Sequence, residues 1–252
     1  MHTNFELGAR SAAAVLARPV TSHREEPVCS SGECTAGHCP ILLRAGTPKT
    51  FAKGDVVFWE GDESERCYLI LSGVVRGTKL LDDGRRMVCR FAFPGSVVEY
   101  STEPTATYTA ETITPVRAIS LSRSMIERSA RQTNCLANLM TRVVLEELSE
   151  TRAQLLMVGR LSASERVVQF LRQVAAHLGT DQDGAFTLPM TRQNIADFLG
   201  LTIETVSRAF SRLKSTGQIR LLGTTRVAIR QARSPIAGTV PSTAAGMEMH
   251  AS

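Results

Sequence analysis

The 252-residue sequence predicts an α+β chain in which a β-roll is followed by one long helix and then by a winged helix-turn-helix. Three observations predict it. Short β-branched and aromatic runs, broken by regularly spaced glycines, fill Phe51 to Val98. A stretch free of Gly and Pro, Asn138 to Val158, carries apolar residues at helical spacing. Two short amphipathic segments flank Gly200 in the most basic part of the chain. These changes of texture divide the chain into an arm (1–45), a roll (46–130), a dimerisation helix (131–160), a winged helix-turn-helix domain (161–232) and a tail (233–252).

Met1 to about Arg44 lacks sustained periodicity and carries Pro, Ser, Gly and the trio Cys29, Cys34 and Cys39, so an irregular arm is expected. In the roll the strand candidates are Val56 to Trp59, Tyr68 to Leu71, Val74-Val75 and Met87 to Cys89, punctuated by Gly54, Gly61, Gly73, Gly84 and Gly95. Strands this short favour an antiparallel barrel or roll, and Asp82-Asp83-Gly84 is its clearest hairpin turn.

In the long helix, Leu139, Met140, Val143, Val144, Leu148, Leu155 and Leu156 form an apolar stripe that must find cover. The same helix of a second subunit, packed as a coiled coil, gives that cover and makes the chain a homodimer; the alternative is its own roll. A second amphipathic helix spans Ser162 to Gly179, with Val167, Val168, Phe170, Leu171 and Val174 inward, and the acidic loop Asp181 to Gly184 follows it. Beyond Arg230 the Ala, Ser, Pro, Gly and Thr content predicts a disordered tail.

From Thr191, expected as the N-cap, a short helix runs to Gly200 with Ile195, Ala196 and Leu199 on one face. Leu201 fills the turn, Thr202 caps the next helix, and Val206, Phe210 and Leu213 face inward before Gly217 ends it. This is the spacing of a helix-turn-helix. The polar face of its second helix carries Glu204, Ser207, Arg208, Ser211 and Arg212. Arg can donate a bidentate pair to guanine, and Glu can accept from a cytosine amino group, so the mixture suits base edges as well as phosphates. Thr191, Arg192, Gln193, Thr202 and Thr205, near the helix starts, complete the candidate DNA contacts. Gln218 to Ile229 alternates like a hairpin whose Arg220 and Arg226 can reach a DNA backbone as a wing.

Composition agrees with a DNA-binding role. The chain is 43% hydrophobic and carries a formal net charge of +5. Between Arg192 and Arg230 seven cations face only Asp197 and Glu204, which accounts for the whole excess. No apolar run approaches the roughly 20 residues a bilayer-spanning helix needs, and a cytoplasmic protein with no membrane partner is expected. Six cysteines then read as reduced thiols or metal ligands. No paired nucleophile and base, phosphate loop or Cys-x-x-Cys supports an enzyme.

Leu188 to Leu213, LPMTRQNIADFLGLTIETVSRAFSRL, resembles the Crp/Fnr superfamily of transcription regulators, and the resemblance extends over about Lys49 to Gln231. It implies a cyclic-nucleotide-binding-like β-roll, a homodimer, double-stranded DNA as ligand and RNA polymerase as partner. Glu204-x-x-Ser207-Arg208 looks like the Fnr/FixK branch, which reads TTGAT half-sites in a palindrome. The cAMP-receptor branch has Arg where this chain has Ile203 and Gly where it has Ser207. Ile203 cannot pair with guanine, but it suits a thymine methyl. Likeness to the FixK branch further implies a role in microaerobic metabolism or nitrogen fixation.

Nucleotide-binding members carry a Gly-Glu pair and an Arg-Ser or Arg-Thr pair that hold the ribose and the phosphate. Pro94 to Tyr108 has neither, nothing local neutralises a cyclic phosphate, and no cAMP binding is expected. Fnr proteins hold a [4Fe-4S] cluster on three N-terminal cysteines and a fourth in the roll. Cys29-x4-Cys34-x4-Cys39 lies in the corresponding arm, but the family's Cys-x2-Cys pair is missing and its fourth cysteine would fall near Arg117. Cys67 or Cys89 would have to substitute. A [4Fe-4S] cluster, a zinc site that includes His38, thiol redox chemistry, and cysteines that bind nothing in a protein controlled by abundance all stay open.

Overall fold

The computed structural model describes Ala36 and residues 39–230; Cys29, Cys34, His38 and the tail from 231 lie outside the described residues. Eight strands form the roll as two antiparallel four-stranded sheets. The first orders β1 (Thr47–Phe51), β8 (Val116–Ser122), β3 (Arg66–Ser72) and β6 (Val97–Val98); the second orders β2 (Val56–Phe58), β7 (Thr109–Thr112), β4 (Val75–Leu80) and β5 (Arg86–Ala92). The hairpin expected at Asp82-Asp83-Gly84 joins β4 to β5.

The apolar run Tyr68 to Leu71 is continuous because β3 is covered on both faces. Ile70 and Tyr68 point between the sheets with Phe58, Val75, Ala92, Val98 and Ala110. Cys67 and Leu69 point outward into a cluster with Leu121, Ile126, Leu136 and Leu139. Successive residues thus feed two cores, as the period of two in a strand requires.

Three helices supply the second of those cores. Pro40–Ala45 forms α1, which corrects the expectation of an irregular arm as far as Arg44: Pro stands in its first turn and Leu42 is fully buried. Arg123–Gln132 forms α2, a helix inside the stretch taken for roll, and Asn134–Arg160 forms α3. At 27 residues α3 is about 40 Å long. Its first turns bury Leu136, Leu139 and Met140 against the roll. Further along, Val144, Leu148, Leu155 and Val158 stay exposed.

The C-terminal head contains α4 (Ala163–Leu178), α5 (Arg192–Leu199) and α6 (Ile203–Ser215), with a three-stranded sheet ordered β10 (Ile219–Leu222), β11 (Arg226–Ile229), β9 (Ala185–Thr187). The strand β9 directly after the acidic loop is absent from the sequence reading; three residues are too few to show a period. Ser162 and Glu165 make a reciprocal capping box at the start of α4. Only Leu161, in extended conformation, and this cap separate α3 from α4.

Head and roll share one apolar cluster. Val74, Val88, Phe91 and Phe93 of the roll pack with Met157, Phe170, Leu171, Leu188, Ile195 and Leu199.

Candidate nucleic-acid interface

The helix-turn-helix is built by two threonine caps and one glycine. Thr191 Oγ accepts from the Asn194 N–H at 3.2 Å, and Thr202 Oγ accepts from the Thr205 N–H at 3.2 Å. Between them Gly200 takes φ 63° and ψ 40°, a left-handed conformation that a side chain would strain. That turn lets the Gly200 and Leu201 N–H groups close on the Ala196 carbonyl. Arg166 of α4 donates to the Leu161 and Leu199 carbonyls at 2.9 and 3.1 Å, which satisfies the end of α5 with a cation. Ile195, Ala196, Leu199, Val206, Ala209, Phe210 and Leu213 form the buried wedge between α5 and α6.

That wedge leaves one face of α6 to solvent. Glu204, Ser207, Arg208, Ser211 and Arg212 are all exposed. The side chains of Glu204, Arg208 and Arg212 make no intramolecular hydrogen bond or ion pair among the described residues. Ser207 and Ser211 donate to the Ile203 and Ser207 carbonyls, at 2.8 and 3.1 Å, so each hydroxyl presents its lone pairs outward. The face therefore offers Arg208 and Arg212 as donors, Glu204 as acceptor, and Ile203, 38% exposed, as an apolar edge.

The other sequence-predicted contacts divide. Gln193 is exposed and its Nε2 donates to Asp197 Oδ1 at 2.6 Å. Thr191 and Thr202 have their hydroxyls engaged in capping. Arg192 lies over the Phe210 ring, 3.1 Å from its centroid, and partial burial pulls its pKa down to about 10. On the wing Arg220 makes no side-chain hydrogen bond or ion pair among the described residues, whereas Arg226 is held by the Asp181 carboxylate of the acidic loop, which narrows the reach expected of it. Asp181 also accepts from the Ala185 and Asp183 N–H groups, and these bonds hold its pKa below the usual carboxylate range.

α5 also carries residues missed in the sequence. Asn194, Asp197 and Phe198 face the roll, not DNA. Asn194 is buried directly beside Ile195, and a polar residue on the apolar face of a short helix is the one signal that marked it.

Arg90 of β5 adjoins the Pro94 to Tyr108 segment, donating to the Tyr108 hydroxyl at 3.4 Å and to the Val97 carbonyl at 3.5 Å, so a cation is in fact local to it. It comes from another strand, which the segment's own sequence cannot reveal. Its charge is already matched by Glu147 of α3 at 2.8 Å. Burial opposes that charge, but Tyr108 and Glu147 beside it raise the guanidinium above its ordinary pKa. Gly77 makes room for the pair: a Cβ there would stand 2.8 Å from Arg90 Cγ and 2.9 Å from a Tyr108 ring carbon.

Of the cysteine trio only Cys39 is described. It is fully buried at the start of α1, in the apolar cluster that also holds Cys67. Among the described residues no three His, Cys, Asp or Glu side chains come together as a metal site. Cys67, one of the two cysteines that would have to stand in for the missing fourth ligand, thus lies in the same cluster as Cys39, while the other two of the trio lie outside the described residues. No described helix is long and apolar enough to cross a membrane.

Comparison with known proteins places these features. Residues 48–133 match the cyclic nucleotide-binding domain, and residues 165–233 match the Crp-like helix-turn-helix domain. The nitrogen fixation regulation protein FixK of Azorhizobium caulinodans is 35% identical over 219 residues, 85% of this chain and 88% of that protein. The transcriptional activator protein FnrL of Cereibacter sphaeroides is 29% identical over 82% of this chain and 85% of its own. The solved structure of FixK2 from Bradyrhizobium japonicum superposes with a TM-score of 0.68 at 33% identity, covering 73% of this chain and 92% of that one.

Proposed function

This chain belongs to the Crp/Fnr family of transcription regulators, in its FixK-type branch, and from that premise we propose that it is an activator that binds a TTGAT-like palindrome as a homodimer. The observation that carries the reading is the uncommitted face of α6. Glu204, Ser207 and Arg208 stand in one exposed row, and neither charge has a partner among the described residues.

Dimerisation rests on α3. Val144, Leu148, Leu155 and Val158 are separated by four, seven and three residues, the spacing of a coiled-coil seam. Thr141 and Thr151, which continue the same row, return their hydroxyl protons to the Ala137 and Glu147 carbonyls and can lie in an apolar seam. A second copy covers this stripe. Two α6 helices then enter successive major grooves about 34 Å apart.

The relatives' names connect the regulon to nitrogen fixation, and RNA polymerase is the partner through which a DNA-bound activator acts. No cyclic nucleotide is needed in this reading, since Glu147 already answers the roll's half-buried Arg90. Calorimetry with cAMP and cGMP checks that statement, and heat of binding would contradict it.

The main test compares wild type and Arg208→Ala on duplexes carrying TTGAT half-sites and on scrambled ones. Wild type prefers the TTGAT duplex, and the variant loses that preference, by about 1–3 kcal/mol per half-site. An unchanged preference sinks the assignment.

A further inference from the structure

The reading head is fastened to the roll through a charged contact at α5. Arg76 of β4 is only 8% exposed; one of its amino groups donates to the Asn194 side-chain carbonyl, and the other donates to Glu111 of β7 at 2.6 Å. Its Nε has no partner among the described residues. Near the hairpin tip, Arg86 of β5 donates from Nε and Nη2 to Asp197 Oδ2, at 2.9 and 2.7 Å. Aromatic contacts extend the same interface: Phe91 meets Phe198 at 5.2 Å and Phe170 at 5.8 Å, and Phe93 stacks on His177 at 4.5 Å.

The cations lie on the roll and the acceptors on α5. Cohesion alone does not call for this. A buried arginine with an orphan donor holds two surfaces together no better than aliphatic side chains of the same volume, because its desolvation cancels much of the attraction. What the planar fork adds is direction. Glu111 fixes the guanidinium from the roll side, and only one placement of Asn194 then meets it.

We propose that Arg76 and Asn194 are positioning residues that set where the DNA-reading helix stands relative to the dimer helix. The proposal rests on the homodimer and palindrome reading above. A head joined to α3 only through Leu161 and the Ser162 cap samples many orientations, and each head must then be immobilised when it meets its half-site. A head docked on its own roll arrives with that cost already met. The docked contact therefore acts on the simultaneous use of two half-sites and on their spacing, and hardly at all on one half-site by itself.

Full-length wild type, Arg76→Leu, Asn194→Ala and Arg86→Ala are titrated by fluorescence anisotropy. The probes are a palindromic TTGAT duplex, the same duplex with one half-site scrambled, and palindromes with two base pairs added to or removed from the spacer. Wild type binds the palindrome much more tightly than the single half-site, at one spacer length. Arg76→Leu and Asn194→Ala each lose about tenfold on the palindrome and less than about twofold on the single half-site, and tolerate the altered spacers. The double variant is no worse than either alone, as expected of one shared contact. Arg86, at the exposed rim, moves the same ratio by about two- to threefold and keeps the test open if the buried variants do not fold. A palindrome-to-half-site ratio unchanged in all three variants overturns the proposal, as does tighter palindrome binding by any of them. A wild type that shows no preference for the palindrome refutes instead the reading on which it rests.

Discussion

Arg192 lies over Phe210 with its guanidinium carbon 3.1 Å from the ring centroid, so a residue at the start of α5 covers the core of α6. A side chain first read as a DNA contact is thereby a structural one as well. Arg192→Ala is expected to destabilise the protein by about 1–2 kcal/mol through lost stacking and packing. Arg208→Ala, on the open face, is expected to leave stability within about 0.5 kcal/mol. Urea unfolding of the two variants separates them, and equal midpoints would contradict the stacked geometry.

Lys214 sits in the last turn of α6, beyond the proposed base-reading row. Lys214→Ala should weaken binding to specific and scrambled duplexes alike and lower the slope of log affinity against log salt by about one, the mark of a lost phosphate contact. A change confined to the TTGAT duplex would place Lys214 among the base readers instead.

Leu148 is 42% exposed at the centre of the α3 stripe. Leu148→Asp puts a charge into the proposed seam and should yield a monomer by light scattering at micromolar concentration, with helical circular dichroism retained. A dimer that persists would move the interface elsewhere.

Cys67 supplies a pH dependence. Burial pushes its thiol up to about 12, against an unfolded value of about 8.5–9. Because the folded value is the higher one, this group's contribution to stability is fully present below pH 9. It is lost as pH climbs toward 12, at about 1.4 kcal/mol per unit while only the unfolded chain ionises. Wild type should therefore lose its stability advantage over Cys67→Ala between pH 9 and 11 in urea titrations. Parallel curves would mean that the thiol is not held in the apolar cluster.

The helix-turn-helix was legible because local rules fix it: Thr191, Gly200, Thr202 and Gly217 mark its ends, and its apolar residues keep one period. The long helix was legible for the same reason. What escaped depends on residues far apart in the chain. Arg76 meets Asn194 across 118 positions, Arg86 meets Asp197 across 111, and Arg90 meets Glu147 across 57. Each is a polar residue whose partner only the tertiary fold supplies. Short elements such as α1 and β9 escaped because a few residues carry no measurable period, and β9 declares itself only by pairing with β11.

The near-absence of a linker between α3 and α4 turns the chain's length there into an angular setting. Each residue added to a helix advances whatever follows it by about 100° around the axis. In the proposed dimer, one residue inserted into the last turn of α3, between Val158 and Arg160, would leave the seam untouched and turn the start of α4 by about 100° relative to it. An equal insertion at the wing tip, around Thr224, would lengthen a loop and no more. The stretch from the end of α3 to the joint at Leu161 is thus expected to tolerate insertions and deletions poorly, although it belongs to neither α5 nor α6.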